Sequence, residues 1–346
     1  MEISLRELKQ WRLWAQNLTE TAVPLLVAGG LCGIQAQYAA NAVHALSIRA
    51  NSADLTGFVK SWTLRGTLHL FPEKDLPLFF PEGRLDFFDT PYGQWRYGHG
   101  CEVSKDRMGF FAQVVEGALS DAPVTRDQLK DLCREQGMTA DEEPWVFDGW
   151  GGVIRMLAEG GHLCLSASEN RAYIRCPEFA PMEITAARTE LVRRHLTHYG
   201  PVTLRDMAYF FRWPQRELKA YLQALSCQTL TCDGRTYYYI TMPSRLPAIP
   251  KCLFLAGFDP LLLGYEKKDS PFLPPAYVKK VFNNTGIVFP ALLLDGTVQG
   301  KWKEQPRHIE VTAFAHWNKT QIAAIQKTAN TLWPDKPLQW THAPPP

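Results

Sequence analysis

The chain has 346 residues, 46% of them hydrophobic and 21% charged, and a net charge of +2. That length holds two to four domains of common size, and the composition is ordinary for a globular protein. No apolar run reaches the roughly 20 residues of a membrane span, no basic-then-apolar leader opens the chain, and so small a net charge does not by itself mark a nucleic-acid binder.

In chain order, Ser4-Leu5-Arg6-Glu7 is a capping box that opens a helix to about Asn17. A second helix is predicted from Gln35 to Ala50, a short one after Asp54, and a strand over Trp62–Leu70 with Leu64, Leu68 and Leu70 on one side. Ser104–Leu119 places Met108, Phe111, Val115 and Leu119 on one helical face. Thr125 and Gln128 then form a second capping box, followed by a helix over Trp145–Glu159 and a hairpin pairing His162–Ala167 with Arg171–Cys176.

The next segment repeats the pattern. Ala122-Pro123-Val124-Thr125-Arg126-Asp127-Gln128-Leu129 resembles Gly200-Pro201-Val202-Thr203-Leu204-Arg205-Asp206-Met207, although only the first copy meets the capping-box pattern fully. The second copy follows a Thr185–His198 helix carrying Leu191, Val192 and Leu196. It precedes a helix over Pro214–Leu225 with Pro at its first position, and a hairpin of Gln228–Cys232 and Arg235–Ile240 across Asp233-Gly234. The last hundred residues read as strands at Cys252–Ala256, Gly286–Leu294, Thr297–Lys303 and His308–Ala315. A helix then runs over Lys319–Leu332 behind Asn318, and the Thr341–Pro346 tail is expected to be disordered.

Three helices followed by a two-stranded hairpin form a winged helix-turn-helix pattern. The expected fold is α+β: three tandem winged-helix domains over residues 1–102 (divergent), 103–180 and 181–245, then a β-rich domain over 246–346. Charge follows these segments. Residues 103–180 carry 8 Lys/Arg against 13 Asp/Glu, whereas 181–245 carry 9 against 5 and 246–346 carry 11 against 7, so a polyanion is drawn to the latter two. The eight cysteines are scattered without a CxxC, which points to reduced thiols and a cytoplasmic protein, with Cys133 and Cys164 as core residues and Cys227 and Cys232 as packing residues.

Conventional catalytic signatures are missing: no G-x-S-x-G, Walker loop, H-E-x-x-H or dinucleotide-binding glycine pattern. Gly29, Gly30 and Gly33 lack the strand-turn-helix context of a phosphate loop, and His195 with His198 lacks a third metal ligand. What remains is Ile34-Gln35-Ala36-Gln37, Trp62-Thr63-Leu64-Arg65-Gly66-Thr67-Leu68-His69, Phe258-Asp259-Pro260-Leu261-Leu262-Leu263-Gly264-Tyr265 and Leu294-Asp295-Gly296-Thr297-Val298-Gln299-Gly300-Lys301-Trp302. In this order the set resembles the AlkZ/YcaQ family of bacterial DNA glycosylases, over most of the chain.

The resemblance implies a Gln-Φ-Gln catalytic centre at Gln35 and Gln37. It implies the AlkZ-like branch, which unhooks interstrand crosslinks joined through N7 of guanine. A neutral amide is a poor general base near neutral pH, so such a pair suits a substrate whose leaving base is already cationic. Double-stranded DNA carrying alkylated or crosslinked guanine is the expected partner, with Arg49, Lys60, Arg65, His69 and the wing-tip Arg235 as candidate DNA contacts. No cofactor, metal or membrane is expected, and the chain is expected to be monomeric. A non-catalytic winged-helix regulator and a protein-binding scaffold are the competing readings.

Overall fold

Four helices begin where their capping residues stand. Ser4, Thr125, Thr203 and Asn318 each accept a bond from the backbone N–H three residues on, and the side chains of Glu7, Gln128, Asp206 and Gln321 accept the return bond from the cap's own N–H. Both copies of the internal repeat therefore close a full box, because the shorter Asp206 still reaches the Thr203 N–H at 3.0 Å.

The computed structural model describes residues 1–52, 54–168 and 172–341, so Arg171 and most of the expected tail lie outside them. The chain divides into two compact units, Met1–Ala53 with Val192–Pro346, and Asp54–Leu191; the boundary falls inside the Ile184–His198 helix.

In the 54–191 unit, strand Phe58–Trp62 lies between Leu68–Pro72 and Leu163–Ser166, all antiparallel. Ala172–Arg175 continues the sheet and Val124–Thr125 ends it. Instead of one strand over Trp62–Leu70 there is a hairpin, because Arg65 and Gly66 both take left-handed φ, 61° and 64°. The helix expected over Trp145–Glu159 is likewise two, Glu143–Val146 and Val153–Glu159. Gly151 and Gly152 adopt φ of 126° and 59° between them, and a Cβ on Gly152 would lie 2.0 Å from the Val146 carbonyl oxygen. No helix follows Asp54; residues 56–57 form a turn. Met108, Phe111, Val115 and Leu119 are all buried, in one cluster with Leu129, Cys133, Leu157 and Leu163.

In the other unit, helix Leu5–Ala15 packs Leu8, Trp11 and Ala15 against Leu230, Tyr237 and Tyr239 of the Gln228–Cys232/Arg235–Tyr239 hairpin. Both central residues of the Asp233-Gly234 turn have positive φ, as a two-residue hairpin requires. The C-terminal sheet runs, by strand, Leu338–Trp340, Ile309–Ala313, Thr297–Glu304, Ala291–Leu294, Cys252–Leu255; helix Lys319–Leu332 buries Ile325 and Ala329 with it. Two elements carry no clear sequence signal. One is strand Leu338–Trp340, which pairs parallel to Ile309–Ala313; the other is helix Pro24–Gly30, whose apolar run lacks polar punctuation. All eight cysteines are free thiols, and the Cys164 and Cys176 sulfurs lie 3.4 Å apart. No helix among the described residues is long and apolar enough to cross a membrane.

Candidate functional site

The segment that leads out of helix Pro24–Gly30 turns sharply through Cys32 and Gly33, at φ 56° and 83°, with the Gly33 N–H donating to the Ala28 carbonyl at 2.8 Å. Ile34 and Gln35 are then extended, and the next helix begins only at Ala39. The expected helix start at Gln35 is thereby corrected. An extended backbone sends alternate side chains to opposite sides. Ile34 and Ala36 are buried, while Gln35, 9% exposed, and the exposed Gln37 share the other side. Gln35 Nε2 donates to Gln37 Oε1 at 3.1 Å. Among the described residues, the Gln35 carbonyl oxygen and the Gln37 amide nitrogen have no protein partner. The pattern of two glutamines around a small apolar residue is thus an alternation: Ala36 anchors, and the flanking amides meet.

The neighbouring residues hold this segment. Tyr38, half exposed, stacks on Phe258 with ring centroids 5.7 Å apart. A Cβ on Gly30 would come within 2.6 Å of the His198 ring, and Arg194 Nη1 donates to the Gly29 carbonyl at 2.9 Å. The glycines therefore serve close packing rather than an open phosphate loop.

Beneath lies a buried polar network that sequence reasoning missed. Arg49 is fully buried. Its Nη2 and Nη1 meet the Asp259 carboxylate at 2.6 and 3.1 Å, and Nη1 also donates to the Ala45 carbonyl. Asp259 in turn accepts from the Leu261 and Ala256 N–H groups, so one carboxylate caps the Pro260–Leu263 turn and pairs with the arginine. Gln16 Nε2 donates to the Tyr265 hydroxyl at 3.0 Å, and that hydroxyl donates to the Tyr199 carbonyl at 2.9 Å. Burial holds the Tyr265 phenol well above its ordinary pKa. The Arg12 guanidinium lies 3.9 Å over the Tyr265 ring and pairs with Asp206 at 3.1 Å. Asp preceding Pro260 is a recognisable cap signal, but nothing local announces its long-range arginine.

The candidate DNA contacts are scattered. Arg49 points inward and has no surface to offer a phosphate, which revises the expectation for it. Arg235 is half exposed at the hairpin tip, 3.4 Å from Asp269. In the other unit, Lys60 is buried within its strand, where desolvation lowers its pKa. Arg65 lies 3.4 Å from His69 Nε2, and His69 Nδ1 meets the Thr67 carbonyl at 2.9 Å. Since only a protonated nitrogen can donate to a carbonyl, His69 carries its hydrogen on Nδ1 and accepts from Arg65 at Nε2. Burial, with the Arg65 charge, pushes its pKa down to about 3. His195 is an enclosed aromatic packing element, stacked on Tyr199 with centroids 4.7 Å apart. Among the described residues no cluster of His, Cys, Asp and Glu has the arrangement of a metal site. A cavity of about 370 Å³ lined by Trp14, Glu20 and Pro243–Ala248 contains none of the candidate residues.

A family model described as DNA glycosylase AlkZ-like matches residues 28–333, a span that includes the glutamine pair, Arg49 and Asp259. The chain belongs to the AlkZ-like DNA glycosylase family. A curated relative, an interstrand DNA cross-link repair glycosylase of Streptomyces sahachiroi, is 27% identical, with 95% of each chain covered. The solved structure of Streptomyces sahachiroi DNA glycosylase AlkZ matches with a TM-score of 0.77 at 23% identity, covering 99% of this chain and all of that one, and shows the fold. The AlkZ-like match thus extends over the Gln35–Gln37 segment and over Arg49, Tyr199, Asp206, Asp259 and Tyr265 of the buried network, while Arg12 and Gln16 precede it.

Proposed function

We propose that this chain hydrolyses the N-glycosidic bond of N7-alkylated, cationic purines in double-stranded DNA, and that it unhooks N7-guanine interstrand crosslinks. The carrying observation is the Gln35–Gln37 pair: two amides on one side of an extended segment, bonded to each other at 3.1 Å, with one carbonyl oxygen left over. The name of the Streptomyces sahachiroi relative, an interstrand DNA cross-link repair glycosylase, supports the substrate class.

The chemistry needs little from the protein beyond placement. Alkylation at N7 makes guanine a cation. When the C1′–N9 bond breaks, its electron pair neutralises the departing base and leaves an oxocarbenium ion on the sugar. A water oxygen then bonds to C1′ and releases its proton to solvent. An amide oxygen beside C1′ turns the negative end of its dipole toward the developing cation and holds the water. In this reading Gln35 supplies the free carbonyl, and Gln37 fixes its orientation by accepting from the Gln35 amide. A neutral base leaves its electron pair poorly, so unmodified DNA reacts little. Both strands are tied in a crosslink, so the bond is reached within the duplex rather than by ordinary extrusion of the base.

Three helix–hairpin modules are read as tandem winged helices on a monomer, with Arg65 and Arg235 as DNA-facing groups and the buried His69 as a support for Arg65. The deciding experiment measures release of 7-methylguanine, and unhooking of an N7-linked crosslink, by wild type, Gln35→Ala and Gln37→Ala. Release by wild type that falls about a hundredfold in either variant supports the assignment. Duplex binding without release from either substrate favours the regulator.

A further inference from the structure

The C-terminal region carries a cationic surface that the glutamine pair does not use. Between Ser270 and Leu294 the chain has no acidic residue at all, yet it contains Lys279 and Lys280 together with Tyr277, Phe282 and Phe289. The fold brings two further lysines to these rings. Lys267 Nζ lies 5.4 Å from the Phe282 ring centre, Lys280 Nζ lies 5.2 and 5.0 Å from Tyr277 and Phe314, and Lys301 Nζ lies 5.7 Å from Phe289. The set is contiguous. Phe282 bridges Val288, Phe289 N–H donates to the Val281 carbonyl at 2.9 Å, and Phe314 N–H donates to the Gln299 carbonyl at 2.8 Å, two residues before Lys301.

Some cations of this unit are paired with carboxylates, while others among the described residues, such as Lys219, Lys319 and Lys327, are not; the ring contacts are what set this patch apart. Lys251 pairs with Asp295, Lys336 with Glu304, and Arg205 and Arg235 with Asp269. Lys303, next on the same strand face, stands opposite Glu310. Among the described residues, Lys267, Lys279, Lys280 and Lys301 form no ion pair. A ring face stabilises an ammonium group without neutralising it, and leaves its other N–H bonds to water or to an incoming anion. Unneutralised lysines interleaved with aromatic rings form a surface that follows a phosphodiester backbone.

We propose that Lys267, Lys279, Lys280 and Lys301 form a DNA-backbone contact surface that binds phosphates independently of any lesion. The proposal takes its ligand from the glycosylase reading, but its test uses undamaged duplex and no base release, so each fails separately. Binding of a 25-base-pair duplex is measured across salt concentrations for wild type, for the triple variant Lys267→Gln/Lys280→Gln/Lys301→Gln, and for the control Lys251→Gln/Lys336→Gln, whose lysines are already paired. Thermal melting of each protein establishes that it is folded. The expected result is a log Kd against log salt slope shallower by about 2 to 3 in the triple variant, roughly 0.9 for each phosphate no longer neutralised, with affinity near 0.1 M salt down about tenfold or more. The control stays close to wild type. An unchanged slope in the folded triple variant overturns the proposal and leaves the patch to an acidic protein partner. An equal flattening in the control also overturns it, since net charge alone then accounts for the effect. If base release is absent while the slope still falls, the surface stands without the glycosylase reading.

Discussion

The two copies of the internal repeat start their helices in the same way and end in different circumstances. Thr125 and Gln128 form a cap at the surface, with a neutral amide returning the bond. Thr203 and Asp206 form the same cap, but the Asp206 carboxylate also pairs with the buried Arg12 and accepts the Glu266 N–H at 2.9 Å. One motif is local; the other joins a helix start to the N-terminal helix and to the chain after Tyr265. A charged capping residue can thus do long-range work that a neutral one at the same position cannot.

Substitutions at the two caps sharpen this difference. Asp206→Ala leaves the Arg12 cation buried and removes a cap, with an expected loss of about 3–5 kcal/mol in denaturant unfolding. Gln128→Ala, at the equivalent position, is expected to cost about 1 kcal/mol or less. Equal losses would erase the distinction. Arg49→Met strands the Asp259 carboxylate and falls in the same range of about 3–5 kcal/mol. Adding Asp259→Asn, which keeps an oxygen for the Leu261 N–H, is expected to restore part of the loss. If the double variant is as unstable as the sum of the two single variants, the stranded charge is not the cause.

A smaller effect comes from the buried neutral imidazole of His69 in the 54–191 unit. His69 is held down to about 3 by burial and by Arg65, whereas in an unfolded chain an imidazole titrates near 6.5. As pH falls below about 6.5 the unfolded chain takes up a proton that the folded chain refuses. Stability is therefore complete above that pH and is lost progressively toward 3. His69→Gln is expected to show a shallower decline between pH 7.5 and 4 than wild type, read as the difference in urea midpoints. Parallel declines would remove His69 from the account.

Much of the fold was legible because its signals are local. Ser4, Thr125, Thr203 and Asn318 each mark a helix start, and Asp233-Gly234 and Asp295-Gly296 each supply the two positive φ values of a tight hairpin. The 3.6-residue spacing of Met108, Phe111, Val115 and Leu119 placed a buried face correctly. Errors came where backbone strain broke a periodic pattern, at Arg65-Gly66 and Gly151-Gly152, because hydrophobic periodicity does not reveal φ. The Gln35–Gln37 segment was misread as a helix start for a related reason: Ile34 and Ala36 alternate over too few residues to declare a strand.

The sequence by itself determined the caps, the hairpin turns, the apolar faces and the glutamine spacing, since each depends on residues within about four positions of one another. Only the tertiary structure decided that Arg49 faces Asp259 across 210 positions, that Arg12 faces Asp206 across 194, and that three lysines, Lys267, Lys280 and Lys301, stay unneutralised beside aromatic rings. Pairing between charges depends on which surfaces folding brings together. A lone arginine in a sequence looks the same whether it will meet a phosphate in solvent or a carboxylate in the core.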